Sequence, residues 1–542
     1  MGKSNKIKFN IIIVIAIAMF AIAIIPKSLQ EDTFYMIKVG EYICENGMQV
    51  IADRIEPFAW HEGMIYTYPH WLLDIIFYLI YSFMGFTGIY GFTLIFGIVI
   101  YLLIYYMNVR IGKNNVISAI IALASIYLLR GYITARAQIV TYLCCILTIL
   151  FIERFLETKK NRYVIGLVIV PIILANCHAA LFPIYFVLYL PYIAEYIISF
   201  LIPKEVLGKI LKIKNKKVEK LQNKNKLAKV EKIKEKINKI ERKLNKIEEN
   251  DKCKDRKIII ERNPNMKWII IIFIICIFTG LLTPLRDIPY TYTYKSIKGN
   301  TMNFISEHQA VQLIKSPHLL ITFVVIIILM FSNKTKIKLQ DLFMVIGMSL
   351  LAIISYKQFP IFLIGVMCII NKLSYSLISE NIKEKVNKIA NKVLSVKGII
   401  YILMVIVILF LWKYKDTASQ SYVKTNEYPV AASEWIKDNL DLEQVNLFND
   451  FNYGSYLLFQ DIPVFIDGRA DAYDPVFNGK DDDVFLDYMM TTSAQNWYGD
   501  TFDKYNITHI ITTKSSYLDT ALQRNIAYKM IYNDGSFVIY ER

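Results

Sequence analysis

"WLLDIIFYLIYSFM", residues 71–84, decides how the chain is threaded. It is short for a bilayer, which takes about 20 apolar residues to cross. It opens with the indole of Trp71 and carries Asp74 near its start. Such a segment is expected to lie along the membrane interface, or to dip partly into it, rather than to cross.

The loops show what hangs on that choice. Apolar runs fall at 9–25, 71–84, 87–107, 115–129, 137–152, 163–176, 180–202, 267–284, 318–332, 341–354, 358–371 and 398–413. The basic loops are the N-terminus "MGKSNKIK", "NVRIGKNN" (108–115), "ETKKNR" (157–162), the block 204–267, "NKTKIK" (333–338) and 373–397. Lys and Arg in short loops mark the cytoplasmic side. If every run crosses, "NVRIGKNN" lands opposite the N-terminus, and the later basic loops follow it. Removing 71–84 from the crossings returns all of them to one side. The expectation is then about eleven crossings, with the N-terminus cytoplasmic and the C-terminal domain extracytoplasmic. The outer loops would be 26–86, 130–136, 177–179, 285–317, 355–357 and everything beyond about 414.

Composition agrees with that class. The 542 residues are 55% hydrophobic, with a mean hydropathy of +0.37. This describes a polytopic α-helical protein, expected as a multi-pass protein of the plasma membrane. The formal charge of +16 sits mainly in short loops and one Lys-rich block, without interleaved aromatics or a recognisable module, so no nucleic-acid partner is expected. The first apolar run exceeds the ~7–15 residues of a secretory signal core, so it is taken as an uncleaved helix. The seven cysteines are scattered and suggest neither a disulfide framework nor a cysteine metal site.

The chain divides into a first transmembrane block (1–203), a cytoplasmic Lys-rich insertion (204–266), a second transmembrane block (267–413) and a small extracytoplasmic α/β domain (414–542). In the insertion, Val230, Ile233, Ile237, Ile240, Leu244 and Ile247 repeat at spacings of three and four. That is a coiled-coil or helical-hairpin seam, or else one face of a solvated helix. In the last domain "YPVAASEWIKDNL" and "SSYLDTALQRN" read as helices. "VNLFND", "PVFIDGRAD" and "THIITTK" read as strands, and "YKMIYNDGSFVIYER" as a hairpin about Asp534-Gly535.

The polar residues hardest to explain as solvated loop fall on the outer side. They are Glu31, Asp32, Lys38, Asp53, His61, His70 and Asp74, then Arg136 and Gln138 in "TARAQIVTY". Asn176 and His178 follow in "LANCHAALF", then Arg286, Asp287, Glu307, His308 and Gln309, and Lys357 and Gln358 in "SYKQFP". Acids and bases gathered at one face of an apolar bundle suggest a site there. No metalloprotease, serine-hydrolase, Walker or dinucleotide motif is present. A substrate with a lipid tail among the helices and a phosphate held by Arg or Lys fits this pattern, with a carboxylate to deprotonate an acceptor hydroxyl. The competing class is a non-enzymatic lipid or polysaccharide transporter, or an envelope-assembly scaffold. Asp32, Asp53 and His70 could hold a divalent metal ion, although no spacing demands one.

Several stretches, taken in order, resemble the GT-C superfamily of membrane glycosyltransferases, closest to a bacterial branch related to the mannosyltransferase and Rgt-like group. "EDTFYMIKVGEYICENG" resembles its first-loop pattern. "YPHWLLD" resembles "H-E-W-L-x-E", and "ARAQIVTY" resembles "A-R-P-Q-x-x-x-Y" with Ala137 in place of Pro. "LANCHAALF" resembles "W-x-N-x-H-G-x-F" with Ala179 in place of Gly. "NDFNYGSYLLF" and "VFIDGRADAY" resemble signatures of its C-terminal domain. The resemblance implies an inverting transfer of a sugar from a polyprenyl-phosphate donor to a glycan, lipid or protein acceptor of the cell envelope. It implies that Asp32, with Glu31 second, acts as or orients the catalytic base. Lys38, Arg136, Arg286 or Lys357 would neutralise the leaving phosphate. Asp53, His70, Trp71, Gln138, Asn176, His178 and Glu307 would shape the substrate site.

Overall fold

A computed structural model describes residues 2–112, 114–200, 203–222, 227–253, 257–332 and 335–542. Among these, six helices are long and apolar enough to cross a membrane: Ser4–Ile24, Trp71–Ile111, Gln138–Thr158, Ala179–Ser199, Tyr356–Leu377 and Val396–Ala418. Five shorter apolar helices accompany them, Asn115–Leu129, Asn161–Cys177, Met266–Leu281, Pro317–Phe331 and Leu339–Ile354. Their inward positions, such as Ile100, Ile146 and Phe362, are fully buried, while Ile120, Ile165, Phe331 and Trp412 are exposed. Helices that are apolar all round, inside and out, fit a bundle whose outer surface faces lipid. The Val396–Ala418 helix packs chiefly on the N-terminal helix Lys3–Ile24, so nearly all of its circumference is free.

Residues 71–84 do not stand apart as a separate helix. They run into the next apolar stretch as Trp71–Ile111, but the backbone breaks at Gly85 (φ 58°, ψ −155°). Only glycine adopts that conformation without strain. The stretch expected as one crossing at 180–202 is, over its described residues, a chain of short turns from Ala179 to Leu188 followed by Leu190–Ser199. Pro183 and Pro191, each in the first turn of its own short helix, explain the segmentation.

The connecting segments meet in two groups. At one end Thr33 Oγ1 donates to Ala135 O (2.8 Å) and Asn176 Nδ2 to Leu282 O (3.1 Å). There too the Ala179 amide donates to Pro69 O (2.9 Å) and the Lys357 amide to Glu307 O (3.0 Å). At the other end Tyr105 and Asn115 both donate to Asn10, and Asn5 to Asn391. Arg110 pairs with Glu157, and Lys338 with Glu261. The Lys-rich insertion forms two helices, Pro203–Gln222 and Leu227–Cys253, packed on each other. Ile237 and Val218 are buried between them, with Ile233 and Leu211 alongside. The side chains of Val230 and Ile247 lie outside the described residues.

The C-terminal part carries a four-stranded sheet. Besides a two-residue parallel pair that joins the end of the Lys-rich insertion to the start of Leu339–Ile354 (β1 Ile258–Ile259, β2 Ile337–Lys338), the strands are β3 Leu447–Phe448, β4 His509–Thr513, β5 Lys529–Asn533 and β6 Phe537–Glu541, in the order β3-β4-β6-β5. β3 is parallel to β4, and the β5–β6 hairpin turns at Gly535 (φ 93°). "PVFIDGRAD" is not a strand. Val464 makes a single bridge to Ala59, and the chain then curls into a 3₁₀ turn at Ala470–Tyr473. The first loop supplies its missing partners: Trp60 Nε1 donates to Leu447 O (3.1 Å) and His61 Nε2 bonds Phe465 O (2.8 Å). The sheet domain is therefore docked on residues 54–66 near the helix Glu31–Asn46.

Candidate active site

The site grows from the start of the helix Glu31–Asn46. Both acids lie in its first turn, where unpaired backbone amides favour negative charge. One face, including Phe34, Ile37 and Gly40, is buried. Phe34 sits among Phe86, Tyr428, Tyr456 and Phe459, which joins the Gly85 break to the sheet domain. The Thr33 bond to Ala135 brings the turn before Gln138–Thr158 against the helix start.

That contact places Arg136 beside Asp32, with Nε 2.6 Å from Oδ2. The same guanidinium reaches Glu307 Oε1 (3.3 Å) and Gln30 Oε1 (3.4 Å) through Nη1. Lys357 Nζ donates to His308 Nε2 at 3.4 Å. A cavity of about 260 Å³ opens here, lined among others by Tyr132, Arg136, Gln138, Tyr142, Glu307 and Lys357. Burial alone would raise the Asp32 pKa. The charge of Arg136, then that of Lys357, outweighs burial and holds the carboxyl below its usual range. Arg136 is correspondingly raised: burial opposes its charge, but Asp32 and Glu307 prevail.

The histidines stay neutral. Burial, reinforced by Lys357 and Arg136 against the pull of Asp32, takes His70 down to about 4. His308 falls to about 3 by burial and the charge of Lys357. His178 is lowered by burial and by His70, and it bonds Thr141 (2.7 Å) while its ring lies 5.1 Å from that of His70. His70 Nδ1, Trp71 Nε1, Gln138 Oε1, His308 Nδ1 and Gln358 Oε1 are buried at this end without a hydrogen-bond partner. Each such atom costs about 1–3 kcal/mol, so their concentration here fits a site that binds a polar ligand.

The two neighbouring acids face different partners. Glu31 Oε1 accepts from Ser455 Oγ (3.1 Å), and that hydroxyl accepts from the Gly468 amide (3.0 Å). Burial, then the charges of Asp32 and Asp467, raise the Glu31 carboxyl well above its usual range. Glu31 therefore ties the helix start to the "FIDGRAD" loop and neither caps the helix nor faces open water. In that loop Asp467 and Arg469 form a two-pronged ion pair (2.9 and 2.6 Å), and Arg469 also reaches Glu56 Oε1 at 2.7 Å. These side chains are fully buried. Tyr473 donates to Asp467 (2.5 Å), and the guanidinium lies over Phe58 and Tyr66.

Other expected residues stand elsewhere. Lys38 pairs with Glu41 (2.5 Å) and Asp461 in a separate cleft. Asp53 accepts from Gln49 on the exposed side of a short helix. Arg286 is exposed, with positive φ. Asn176 closes backbone carbonyls of Ile172 and Leu282. Among the described residues no group of three or more His, Cys, Asp or Glu side chains is placed to hold a metal ion, which separates Asp53 from Asp32 and His70. Sequence reasoning missed Tyr35, Tyr292 and Asp471. Tyr35 lies three residues after Asp32 on the same helix face, a signal that was available. Asp471 and Tyr292 are joined to the site only by tertiary contacts. No protein-family model matches this chain, and no curated protein matches its sequence.

Proposed function

We propose that this protein is a GT-C-like membrane glycosyltransferase that moves a sugar, with inversion, from a polyprenyl-phosphate donor to a cell-envelope acceptor at the outer face of the plasma membrane. The observation that carries the reading is a cavity at one end of an apolar bundle, lined by Arg136, Glu307 and Lys357, with Asp32 paired to the Arg136 guanidinium. Arg136 and Lys357 supply the positive charge a phosphate requires, and the guanidinium can present two donors to it. The uncharged His70, His178 and His308 offer hydrogen bonds without repelling a cationic or anionic partner. The apolar helices below provide a place for the polyprenyl tail.

The threading belongs to the same proposal. The six long and five shorter apolar helices make eleven crossings when residues 71–84 lie along the interface. The break at Gly85 supports this, because it frees 71–84 from the axis of 86–111. The positive-inside rule then puts the basic end in the cytoplasm and the Asp32 end outside.

Mixing purified protein with labelled polyprenyl-phosphate sugars tests the reading. Wild type transfers the label and Asp32→Asn loses at least about 100-fold. Undiminished transfer by Asp32→Asn would remove this cluster from the mechanism.

A further inference from the structure

The segment 467–473 is almost wholly interior: Asp467, Arg469, Ala470, Ala472 and Tyr473 are buried. Asp467 and Arg469 are consumed by the ion pair with Glu56, which holds the segment rigidly on the first loop. The 3₁₀ turn at Ala470–Tyr473 carries the next acid to the edge of that core, where Asp471 is half-buried while Asp467 and Arg469 are fully enclosed. Its Oδ2 accepts from Thr67 Oγ1 at 2.8 Å, three residues before His70. It is also bonded by Tyr292, whose helix Ile288–Lys298 is joined to this domain by the Asn300 amide donating to Asp474 (2.9 Å). Asp471 and Asp32 share neighbours, since Tyr35, Tyr292 and Lys357 each lie within the electrostatic reach of both carboxylates. Asp32 is paired with the Arg136 guanidinium, whereas among the described residues no cation is paired with Asp471.

We infer that the C-terminal domain completes the active site, and that Asp471 takes the proton of the acceptor hydroxyl while Asp32 holds Arg136 for the donor phosphate. This rests on the glycosyl-transfer reading and divides its labour. The acceptor oxygen forms a bond to the anomeric carbon as the bond from that carbon to the phosphate oxygen breaks. The bonding pair leaves with the polyprenyl phosphate, beside Arg136 and Lys357, and the hydroxyl proton passes to Asp471. Asp32 is a weak base while its pair with Arg136 stands. Burial takes Asp471 up to about 6, opposed by the Thr67 bond and by Arg469, and assisted by Asp467. The titratable and charged groups around it are Tyr35, Tyr66, Tyr292, Lys357, Arg469 and Asp467. A base with that affinity is matched to neutral pH.

The test is the pH profile of kcat for the full-length protein with labelled polyprenyl-phosphate sugar. Wild type gains activity as pH rises through about 6, since the carboxylate form is the active one. Asp471→Asn, which can still accept from Thr67, loses about 100-fold or more in kcat with the donor KM unchanged, and its profile is flat through that range. Asp471→Glu keeps a carboxyl and retains the rise, and Asp32→Asn retains the rise at its lowered rate. Wild-type kcat in Asp471→Asn, or a rise near pH 6 that survives there, overturns the inference and leaves glycosyl transfer standing. A raised donor KM in Asp471→Asn also overturns it by moving Asp471 to the donor. Wild type that transfers no sugar from any donor overturns both.

Discussion

Arg469→Ala is the most demanding test of how the sheet domain is held. The Arg469, Asp467 and Glu56 side chains are all fully buried, and one guanidinium pairs with two carboxylates on different parts of the chain. Removing it leaves both carboxylates dehydrated and adjacent. Breaking a buried pair by deleting one partner costs about 3–5 kcal/mol. Loss of its stacking on Phe58 and Tyr66 pushes the cost to the upper part of that range. For a domain of this size the melting temperature should fall by roughly 10 °C or more. Intact protein in detergent, heated stepwise with trypsin, reports the loss of the C-terminal domain as it undocks. Glu56→Gln should fall much less, because Asp467 and Arg469 remain a neutral, bidentate pair. A melting temperature for Arg469→Ala within about 2 °C of wild type would refute the triad as the clasp.

Three further outcomes follow from the same geometry. Gly40→Ala places a methyl 2.0 Å from the Asp74 carbonyl oxygen and 2.9 Å from Tyr78 Cβ, so the helix Glu31–Asn46 must move off residues 71–84; expression and thermal stability should fall together, and normal stability would contradict the contact. Arg136→Lys keeps the charge but loses the planar fork on Asp32 and Glu307, so the donor KM should rise about tenfold, measured by steady-state transfer. In a Cys44→Ser background, which removes the exposed thiol of the first loop, Arg110→Cys should add reaction with a membrane-impermeant thiol reagent only in inverted vesicles, and added labelling in intact cells would reverse the threading.

The oddity that sequence reading found at 71–84 corresponds to a break in the helix at Gly85. Local signals also sufficed for the Asp534-Gly535 hairpin and the Ser516 cap, where the hydroxyl accepts from the Asp519 amide. Arg136, Glu307 and Lys357 were legible as polar residues at helix ends, but their meeting with Asp32 depends on packing across hundreds of residues. Lys38 failed for a helical reason. Six residues past Asp32, it stands about 240° around the helix and faces the Asp461 cleft instead. "FIDGRAD" misled because alternation makes Asp467, Arg469 and Asp471 look like one strand face. A turn at Ala470 separates the buried ion pair from the half-buried Asp471.

The Asp32 end of this bundle is proposed to catalyse sugar transfer from a lipid phosphate. The most direct test is product analysis for purified wild-type protein given a labelled β-linked polyprenyl-phosphate sugar and envelope acceptors. One polyprenyl phosphate should be released per sugar transferred, with the new linkage in the α configuration. Release without transfer, transfer with the β configuration retained, or no turnover of any such donor would contradict it.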